Sequence, residues 1–232
     1  MRLQDVPNNY DRAAKRYDKW TDLVFGRILG IEELREHTID LLGDIDGKVV
    51  LDIGCGTGRN FPFLVRRVGP RGRVIGIDYS QGMLDVAKAR VEREGWRNVE
   101  LARDNAAKLA TIDSTVDAAV SVWTMGIVHD LDSALTRAVE VLRAGGRIAI
   151  MDFDRARPDR GWLRWLYPVY SLVLRWAGID SAEDLDDARL RAKWQSGREV
   201  LASRIGHIEE ERYLNGGGII LSGTNPVREE CS

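Results

Sequence analysis

Val49–Gly58 has the sequence VVLDIGCGTG, in which apolar residues lead to an acidic residue and then to glycine at every second position. A short apolar run of this kind predicts a buried strand. Glycine lets the backbone turn sharply after the strand and leaves no Cβ between the main chain and a ligand. The segment therefore predicts a site for a nucleotide-like cofactor where the strand meets the next helix.

The spacing of the glycines argues against a dinucleotide. A dinucleotide fingerprint needs a further glycine three positions after the second one, because helix and strand pack closely there. Counted from Gly54 and Gly56, that position is Arg59, whose side chain would crowd the packing. A NAD-dependent oxidoreductase is therefore the disfavoured alternative, and a cofactor without phosphate suits the pattern better.

The bulk properties are those of an ordinary soluble domain. The chain has 232 residues, 44% of them hydrophobic and 30% charged, with a net charge of −2. Such a length fits one sizeable domain, and the charge gives no basic field for nucleic acid. Cys55 and Cys231 imply no disulfide framework, and neither a signal peptide nor a transmembrane run is apparent. We expect a cytoplasmic protein.

From residue 49 onward, strand patterns alternate with helical patterns, which predicts βαβ units and a parallel sheet. Strands are predicted at 49–54, 73–78, 99–103, 116–123 and 147–153, and helices at 58–68, 81–94 and 132–143. Ser80 and Gly95 are the predicted N-cap and stop of the second helix. Residues 155–205 favour two or three helices, and 208–213 with 218–223 favour a closing β-hairpin.

The glycine loop, the strand-end acids Asp78 and Asp104, and the segment Tyr10–Asp18 follow one another in an order that resembles class I S-adenosylmethionine (SAM) methyltransferases. Within that class the chain is similar to the quinone- and lipid-methyltransferase branch. Asn60-Phe61-Pro62 and Gly95–Glu100 look most like bacterial phospholipid or betaine-lipid N-methyltransferases.

The resemblance implies an α/β, Rossmann-like fold with a seven-stranded, mostly parallel sheet, a C-terminal antiparallel hairpin and a helical cap. It also implies one methyltransferase domain over the whole chain. Its expected parts are N-terminal lid helices at 1–45, a SAM-binding core at 46–154, the cap at 155–205 and the hairpin at 206–226.

The same resemblance assigns residues to SAM. Asp78 would accept both ribose hydroxyls, as an ionised carboxylate does strongly. The segment Asp104-Asn105-Ala106 would read the adenine amino edge, and Asp52 would orient the methionine ammonium through the glycine backbone or water. The other expected cofactor contacts are Tyr17, Gly54, Cys55, Gly56, Asn60, Tyr79, Met83 and Trp123.

Tyr10 and Tyr17 match a lid motif of this branch, where aromatic rings cover the cofactor and exclude water. Tyr10, Ala13, Ala14 and Tyr17 also form one helical stripe, so ordinary amphipathic packing is the alternative.

The acceptor is expected beside Ser121–Asp130. An Asn/Asp-Pro-Pro-aromatic motif, which methyltransferases of DNA-base amines carry there, is absent from this segment, so nucleic acid is an unlikely acceptor. His129 is the candidate catalytic residue, since it would remove the proton of a phenol or enol. With an amine acceptor His129 would only shape the pocket, and it is equally well explained as a loop residue before the next helix.

The other candidate substrate contacts are Tyr10, Met125, Asp152, Trp162, Trp165 and Tyr170. Asp152, together with Asp154, would attract a cationic amine. Residues 161–176 concentrate Trp, Tyr and Arg among apolar residues, which suits a membrane interface or a long apolar substrate. A helix packed on the sheet is the alternative for this segment.

The sequence thus predicts a SAM-dependent methyltransferase without a metal ion, as a monomer or homodimer. The favoured acceptor is lipid-soluble, either a lipid-head amine or a prenylated quinone, and peripheral membrane contact through 161–176 is expected. The alternatives are a small soluble amine or phenol as acceptor, or a SAM-binding protein without turnover.

Overall fold

The computed structural model describes residues 30–154, 187–205 and 207–227. Seven strands of this part form one sheet in the order β3-β2-β1-β4-β5-β7-β6. They are β1 (Val49–Ile53), β2 (Arg73–Asp78), β3 (Val99–Arg103), β4 (Val116–Val122), β5 (Leu142–Phe153), β6 (Ile208–Tyr213) and β7 (Gly218–Thr224). Strands β1 to β5 pair in parallel, and β7 runs antiparallel to β5 and β6. The predicted Rossmann-like sheet and its C-terminal hairpin are confirmed.

The described helices pack on both faces of this sheet. They are α1 (Ile31–Asp40), α2 (Phe61–Val68), α3 (Gln81–Glu94), α4 (Leu131–Glu140) and α5 (Asp187–Arg204). In β1, Leu51 belongs to a core cluster with Trp194 of α5, whereas the preceding Val50 clusters with Leu64 of α2. Alternate side chains of a strand point to opposite faces, so β1 is buried on both. Because helices cover both faces, a ligand is expected at the carboxyl ends of β1 to β4.

Two boundaries differ from the sequence prediction because residues with positive φ interrupt the elements. The helix predicted from residue 58 begins at Phe61, since Gly58 has a φ of +78° and cannot be right-handed helix. The strand predicted to include Trp123 ends at Val122, since Trp123 has a φ of +56°.

The helix predicted to reach residue 143 ends at Glu140, and β5 begins already at Leu142. Val116 pairs with Leu142, after which the register shifts before Ala118 pairs with Arg147. The Asn225 side chain holds this irregular segment by donating to the carbonyl of Leu142 at 2.9 Å. Gly145 and Gly146 therefore lie in a bulge within β5 and not in a turn before it.

The predicted N-cap and stop of α3 are confirmed. The Ser80 hydroxyl accepts a bond from the Met83 amide at 3.1 Å, and Gly95 ends α3 with a φ of +69°. Asp130 caps α4 by accepting from the Ser133 amide at 3.0 Å. Ser80 and Asp130 fix where α3 and α4 begin at the carboxyl edge of the sheet, and Gly95 ends α3 at the opposite edge.

Several predictions fall on residues 1–29 and 155–186, outside the described part of the chain. They are the lid motif with Tyr10 and Tyr17, most of the cap, and Trp162, Trp165 and Tyr170. None of the described helices is long and apolar enough to cross a membrane.

Candidate active site

A pocket opens at the carboxyl ends of β1 to β4. It brings together most of the residues that the sequence assigns to the cofactor, together with His129. The predicted residues on its wall are Gly54, Cys55, Gly56, Asn60, Asp78, Tyr79, Met83, Asp104, Asn105, Ala106, Trp123 and His129. The described wall also includes residues that were not among the predicted contact residues, namely Arg35, Thr57, Arg59, Ile77, Val122, Thr124, Ile127 and Val128.

The glycine loop presents bare main chain to this pocket. A Cβ on Gly54 would lie 2.1 Å from Cγ2 of Thr124, so glycine is needed there for the approach of β4. A Cβ on Gly56 would meet nothing within 4 Å, and its φ is +54°. Gly56 therefore faces open space, and a side chain there would fill the cradle that the cofactor needs. The loop fits SAM.

Asp78 is held on the pocket wall by two backbone amides. One carboxylate oxygen accepts from the Gly56 amide at 2.8 Å, and the other accepts from the Ser80 amide at 2.8 Å. These bonds tie the end of β2 to the glycine loop. They place an anionic acceptor where the sequence predicts ribose recognition.

Asp104 closes its own loop as well as lining the pocket. Its Oδ1 accepts from the Asn105 amide at 2.7 Å, and its Oδ2 accepts from the amide and hydroxyl of Thr111, each at 2.7 Å. A carboxylate offers about four acceptor directions, so about one is left for an adenine amino group. Most of the acceptor capacity of Asp104 is thus used within its own loop.

Tyr79 and Met83 form the adjoining wall. The Arg103 guanidinium lies 5.5 Å from the centroid of the Tyr79 ring, and the Met83 side chain is almost fully buried. One ring face of Tyr79 is therefore occupied by a cation, and Met83 supplies an apolar surface beside it.

Asp52 lies behind the glycine loop, completely buried and off the pocket wall. Its Oδ1 accepts from the Asn60 amide group at 2.8 Å, and its Oδ2 has no hydrogen-bond partner among the described residues. Burial raises the pKa of Asp52 to about 7, although the Asn60 bond and the Arg35 charge oppose this. Any influence on the cofactor must pass through the loop, as the sequence predicts.

Cys55 contributes shape rather than reactivity. Its side chain is buried, and burial raises the pKa of the thiol well above its usual value, with Asp78 and Asp52 adding to the rise. A neutral thiol at this place is a small apolar group.

Trp123 is a fixed part of the wall on the acceptor side. Its indole nitrogen donates to the Tyr213 hydroxyl at 3.0 Å, and its ring stacks on Phe153 with centroids 6.0 Å apart. The Arg35 guanidinium lies 5.4 Å from the Trp123 ring centroid. The Trp123 ring therefore lies between the described core and the pocket, with the Arg35 guanidinium beside it.

The loop that follows Trp123 is clamped from two sides. The Gly126 amide donates to Oδ2 of Asp152 at 2.8 Å, and Nζ of Lys193 in α5 donates to the Gly126 carbonyl at 2.6 Å. Lys193 also donates to the Val128 carbonyl. Because Ile127, Val128 and His129 line the pocket, this clamp sets the shape of the acceptor side.

The structure corrects three expectations for this side. Met125 is fully buried in the core instead of contacting the pocket. Asp152 does not face the cleft, because its carboxylate accepts from the Gly126 and Phe153 amides. Asp154 is also buried, and it pairs with Arg198 at 2.7 Å and Arg212 at 3.2 Å. Neither carboxylate is placed to attract a cationic amine.

Comparisons with known proteins agree with this site. The profile of the ubiE/COQ5 methyltransferase family matches residues 1–195. A Marinomonas sp. (strain MWYL1) protein named ubiquinone/menaquinone biosynthesis C-methyltransferase UbiE is 32% identical, over 94% of this chain and 89% of its own length. The demethylmenaquinone methyltransferase of Lactococcus lactis subsp. lactis (strain IL1403) is 29% identical, over 95% of this chain and 86% of its own length.

Among solved structures, a SAM dependent methyltransferase from Aquifex aeolicus has a TM-score of 0.63 at 22% identity. The match covers 93% of this chain and 98% of that chain. That likeness concerns the fold. The family match and the site together identify the chain as a SAM-dependent methyltransferase that belongs to the ubiE/COQ5 methyltransferase family.

Proposed function

We propose that this enzyme methylates a ring carbon of a prenylated quinone in its reduced, hydroquinone form. The observation that carries the proposal is the match, along nearly the whole chain, to a protein named ubiquinone/menaquinone biosynthesis C-methyltransferase and to one named demethylmenaquinone methyltransferase. The pocket supports it, because Trp123, Ile127 and Val128 give its acceptor side an apolar wall.

The cofactor would lie along the glycine loop. Gly54 and Gly56 would pass beneath it, Asp78 would hold the ribose, and Asp104–Ala106 with Tyr79 and Met83 would enclose the adenine. When bound, SAM supplies an electrophilic methyl group, and transfer depends mainly on alignment with the acceptor carbon.

His129 is the residue placed to activate a hydroquinone. It lies on the pocket wall at the end of the clamped loop. By accepting the proton of a ring hydroxyl, its imidazole would raise the electron density of the adjacent ring carbon. The new carbon–carbon bond would replace the methyl–sulfur bond, with S-adenosylhomocysteine as the leaving group, and the ring would then lose its own proton to solvent and become aromatic again.

A lipid-head amine is less well supported than the quinone. Asp154 is neutralised by Arg198 and Arg212, and Asp152 is bonded to backbone amides. A cationic amine would therefore find neither of the predicted carboxylates in the pocket.

The acceptor is tested with SAM labelled in its methyl group and three acceptors: a prenylated hydroquinone lacking the methyl group, a phospholipid with an amine head, and a small soluble amine. We expect label on a carbon of the hydroquinone, established by mass spectrometry of the product. Transfer to either amine would overturn the proposal. SAM binding without transfer to any acceptor would favour a binding protein.

A prenylated acceptor resides in a bilayer, so we propose that the enzyme approaches the membrane surface through residues 161–176. Tryptophan and tyrosine favour that interface, and Trp162, Trp165 and Tyr170 supply them. Flotation with lipid vesicles should carry wild-type protein upward and leave a Trp162→Ser, Trp165→Ser variant behind. Equal flotation of both would contradict membrane contact through this segment.

Gly56→Ala should reduce SAM affinity by at least about tenfold, because its Cβ would enter the cofactor cradle. Gly47→Ala is the matched control, since Gly47 has a φ of +68° and a Cβ there also meets nothing within 4 Å. Both substitutions carry a similar cost of about 1 kcal/mol for a left-handed residue. Calorimetry should show weaker SAM binding only for Gly56→Ala, and equal binding by both variants would contradict the placement of SAM.

Lys193→Met should lower kcat/KM for the acceptor by about tenfold, since the bonds of a charged donor to the loop carbonyls are lost. The dissociation constant for SAM should stay within about twofold, and Lys193→Arg should restore part of the activity. Lys88→Met is the control, because Lys88 is exposed and, within the described part of the chain, its ion pair is a 4.0 Å contact with Glu92. A loss of SAM affinity equal to the loss of activity would contradict a role confined to the acceptor loop.

A further inference from the structure

Trp123 has a backbone conformation that bulky residues rarely adopt. Its φ is +56°, and its amide donates to the Met151 carbonyl at 2.8 Å, so the chain turns sharply while it is still paired with β5. A non-glycine residue in this region is strained and persists only where neighbouring groups hold it. Because Trp123 also lines the pocket, this strain falls on a wall residue of the site.

Tyr213 holds the indole of Trp123 through a chain of two hydrogen bonds. The Tyr213 hydroxyl accepts from Nε1 of Trp123 at 3.0 Å and donates to the Asp152 carbonyl at 3.0 Å. Tyr213 is buried behind the described pocket wall, so the bond directs the indole N–H away from the pocket. A tryptophan N–H away from water needs such an acceptor, and the ring is therefore kept in one orientation.

A glycine in the hairpin lets Tyr213 reach this far. Phe153 of β5, Gly218 of β7 and Tyr213 of β6 lie opposite one another in three neighbouring strands. A Cβ on Gly218 would lie 2.2 Å from Cζ of Tyr213, so the tyrosine ring lies across the bare main chain of β7. Beyond it the ring meets Phe153, with centroids 5.8 Å apart, and Phe153 stacks on Trp123. The edge strand β6 thereby reaches a pocket wall at the end of β4.

From these contacts we infer that Tyr213 is a positioning residue for the methyl acceptor and acts through Trp123. Held by the Tyr213 hydroxyl, the indole presents one fixed surface to the acceptor. Methyl transfer depends on alignment, so an indole that can turn lowers the rate without weakening SAM binding. The inference rests on the proposed function, since it takes Trp123 as a wall of the acceptor side, and it gives the C-terminal hairpin a part in the reaction.

The test measures methyl transfer by Tyr213→Phe, which keeps the ring and loses the hydroxyl. kcat/KM for the prenylated hydroquinone should fall about tenfold, the value of one to two neutral hydrogen bonds. The dissociation constant for SAM should stay within about twofold by calorimetry. Trp123→Phe, which lacks the N–H, should lose at least as much activity. The double variant should lose no more than Trp123→Phe alone, because both residues act through one bond.

Nuclear magnetic resonance observes the same bond directly. The indole N–H signal of Trp123 is assigned as the one that is missing from Trp123→Phe. In Tyr213→Phe this signal should move and exchange faster with water, whereas the signal of Trp194, which is buried in the core, should stay in place. A Trp123 signal that is unchanged in Tyr213→Phe would overturn the inference.

Asn225→Ala is the matched control for the docking of the hairpin. Asn225 follows β7 and donates to the carbonyls of Leu142 and Arg143 at 2.9 and 3.1 Å, at the edge of the sheet opposite the pocket. This variant also loses two side-chain hydrogen bonds, so its stability should fall, while kcat/KM and the Trp123 signal should remain as in wild type. An equal loss of kcat/KM in Asn225→Ala and Tyr213→Phe would overturn the inference, because the effect would then come from the docking of the hairpin.

The remaining outcomes separate the inference from the proposed function. Three results overturn the role of Tyr213 and leave the quinone proposal standing: unchanged kcat/KM in Tyr213→Phe, losses that multiply in the double variant, and a loss of SAM affinity equal to the loss of activity. If wild-type enzyme methylates an amine instead, the quinone proposal fails, and the same variants compared on that amine decide the role of Tyr213. If it methylates no acceptor, both fail.

Discussion

Asp78→Ala should reduce the affinity for SAM by at least about 100-fold. The carboxylate accepts from the Gly56 and Ser80 amides and lies on the pocket wall, so its loss removes the proposed ribose acceptor and loosens the glycine loop. Each hydrogen bond to a charged group is worth about 1.5–3 kcal/mol, and two ribose hydroxyls lose their acceptor. Calorimetric titration with SAM measures the effect.

Asp117→Ala is the matched control for this experiment. Asp117 accepts from the Val49 amide at 2.7 Å and pairs with Arg143 at 2.7 Å, and it is not on the pocket wall. The control should lose stability through its broken bond to β1 and should keep SAM affinity within about twofold of wild type. SAM affinity that survives in Asp78→Ala, or falls equally in both variants, would contradict the ribose role of Asp78.

Asp52→Asn should gain stability relative to wild type as the pH rises from 5 to 8. Burial raises the pKa of Asp52 from 3.8 to about 7, so the folded state holds the proton more tightly than the unfolded state. Between these two pKa values the wild type loses stability with rising pH, by about 1.4 kcal/mol per pH unit. The Asn side chain has no titrating proton in this pH range, and its carbonyl oxygen can still accept the hydrogen bond from Asn60.

The difference in unfolding free energy between Asp52→Asn and wild type should therefore grow by about 3 kcal/mol between pH 5 and pH 8. Urea unfolding of the cofactor-free proteins measures it. Asp130→Asn is the control, because the Ser133 hydrogen bonds lower the pKa of Asp130 from 3.8. The Asp130 carboxyl is ionised in both the folded and the unfolded state between pH 5 and pH 8. The difference in unfolding free energy between Asp130→Asn and wild type should therefore stay constant. A constant difference for Asp52→Asn would show that Asp52 is not buried as described.

The features that the sequence predicts well are those set by neighbouring residues. The run Val49–Ile53 forms a strand because its side chains are apolar, and Gly54 and Gly56 follow because the turn needs positive φ. Ser80 caps α3 through a bond to the amide of Met83, three residues away. Since parallel strands end at one edge of the sheet, the pocket position follows from the same patterns.

The features that the sequence does not predict depend on contacts between distant residues. Arg35 reaches the pocket only because α1 packs across the loop after β1, and Lys193 reaches Gly126 from 67 positions away. Asp152 near the end of β5 and Asp154 just after it were expected to attract a cationic amine, yet their partners come from the loop after β4, α5 and β6. A strand-end acid in the sequence does not reveal whether it faces a cleft or a backbone amide.

Hydrogen–deuterium exchange with and without S-adenosylhomocysteine, the demethylated product of SAM, tests the central claim most directly. The account predicts slower exchange at the amides of 54–58, 78–83 and 104–106, with the 208–224 hairpin unchanged. Binding of this product without protection of the glycine loop, or no binding at all, would contradict the assignment of this pocket to SAM.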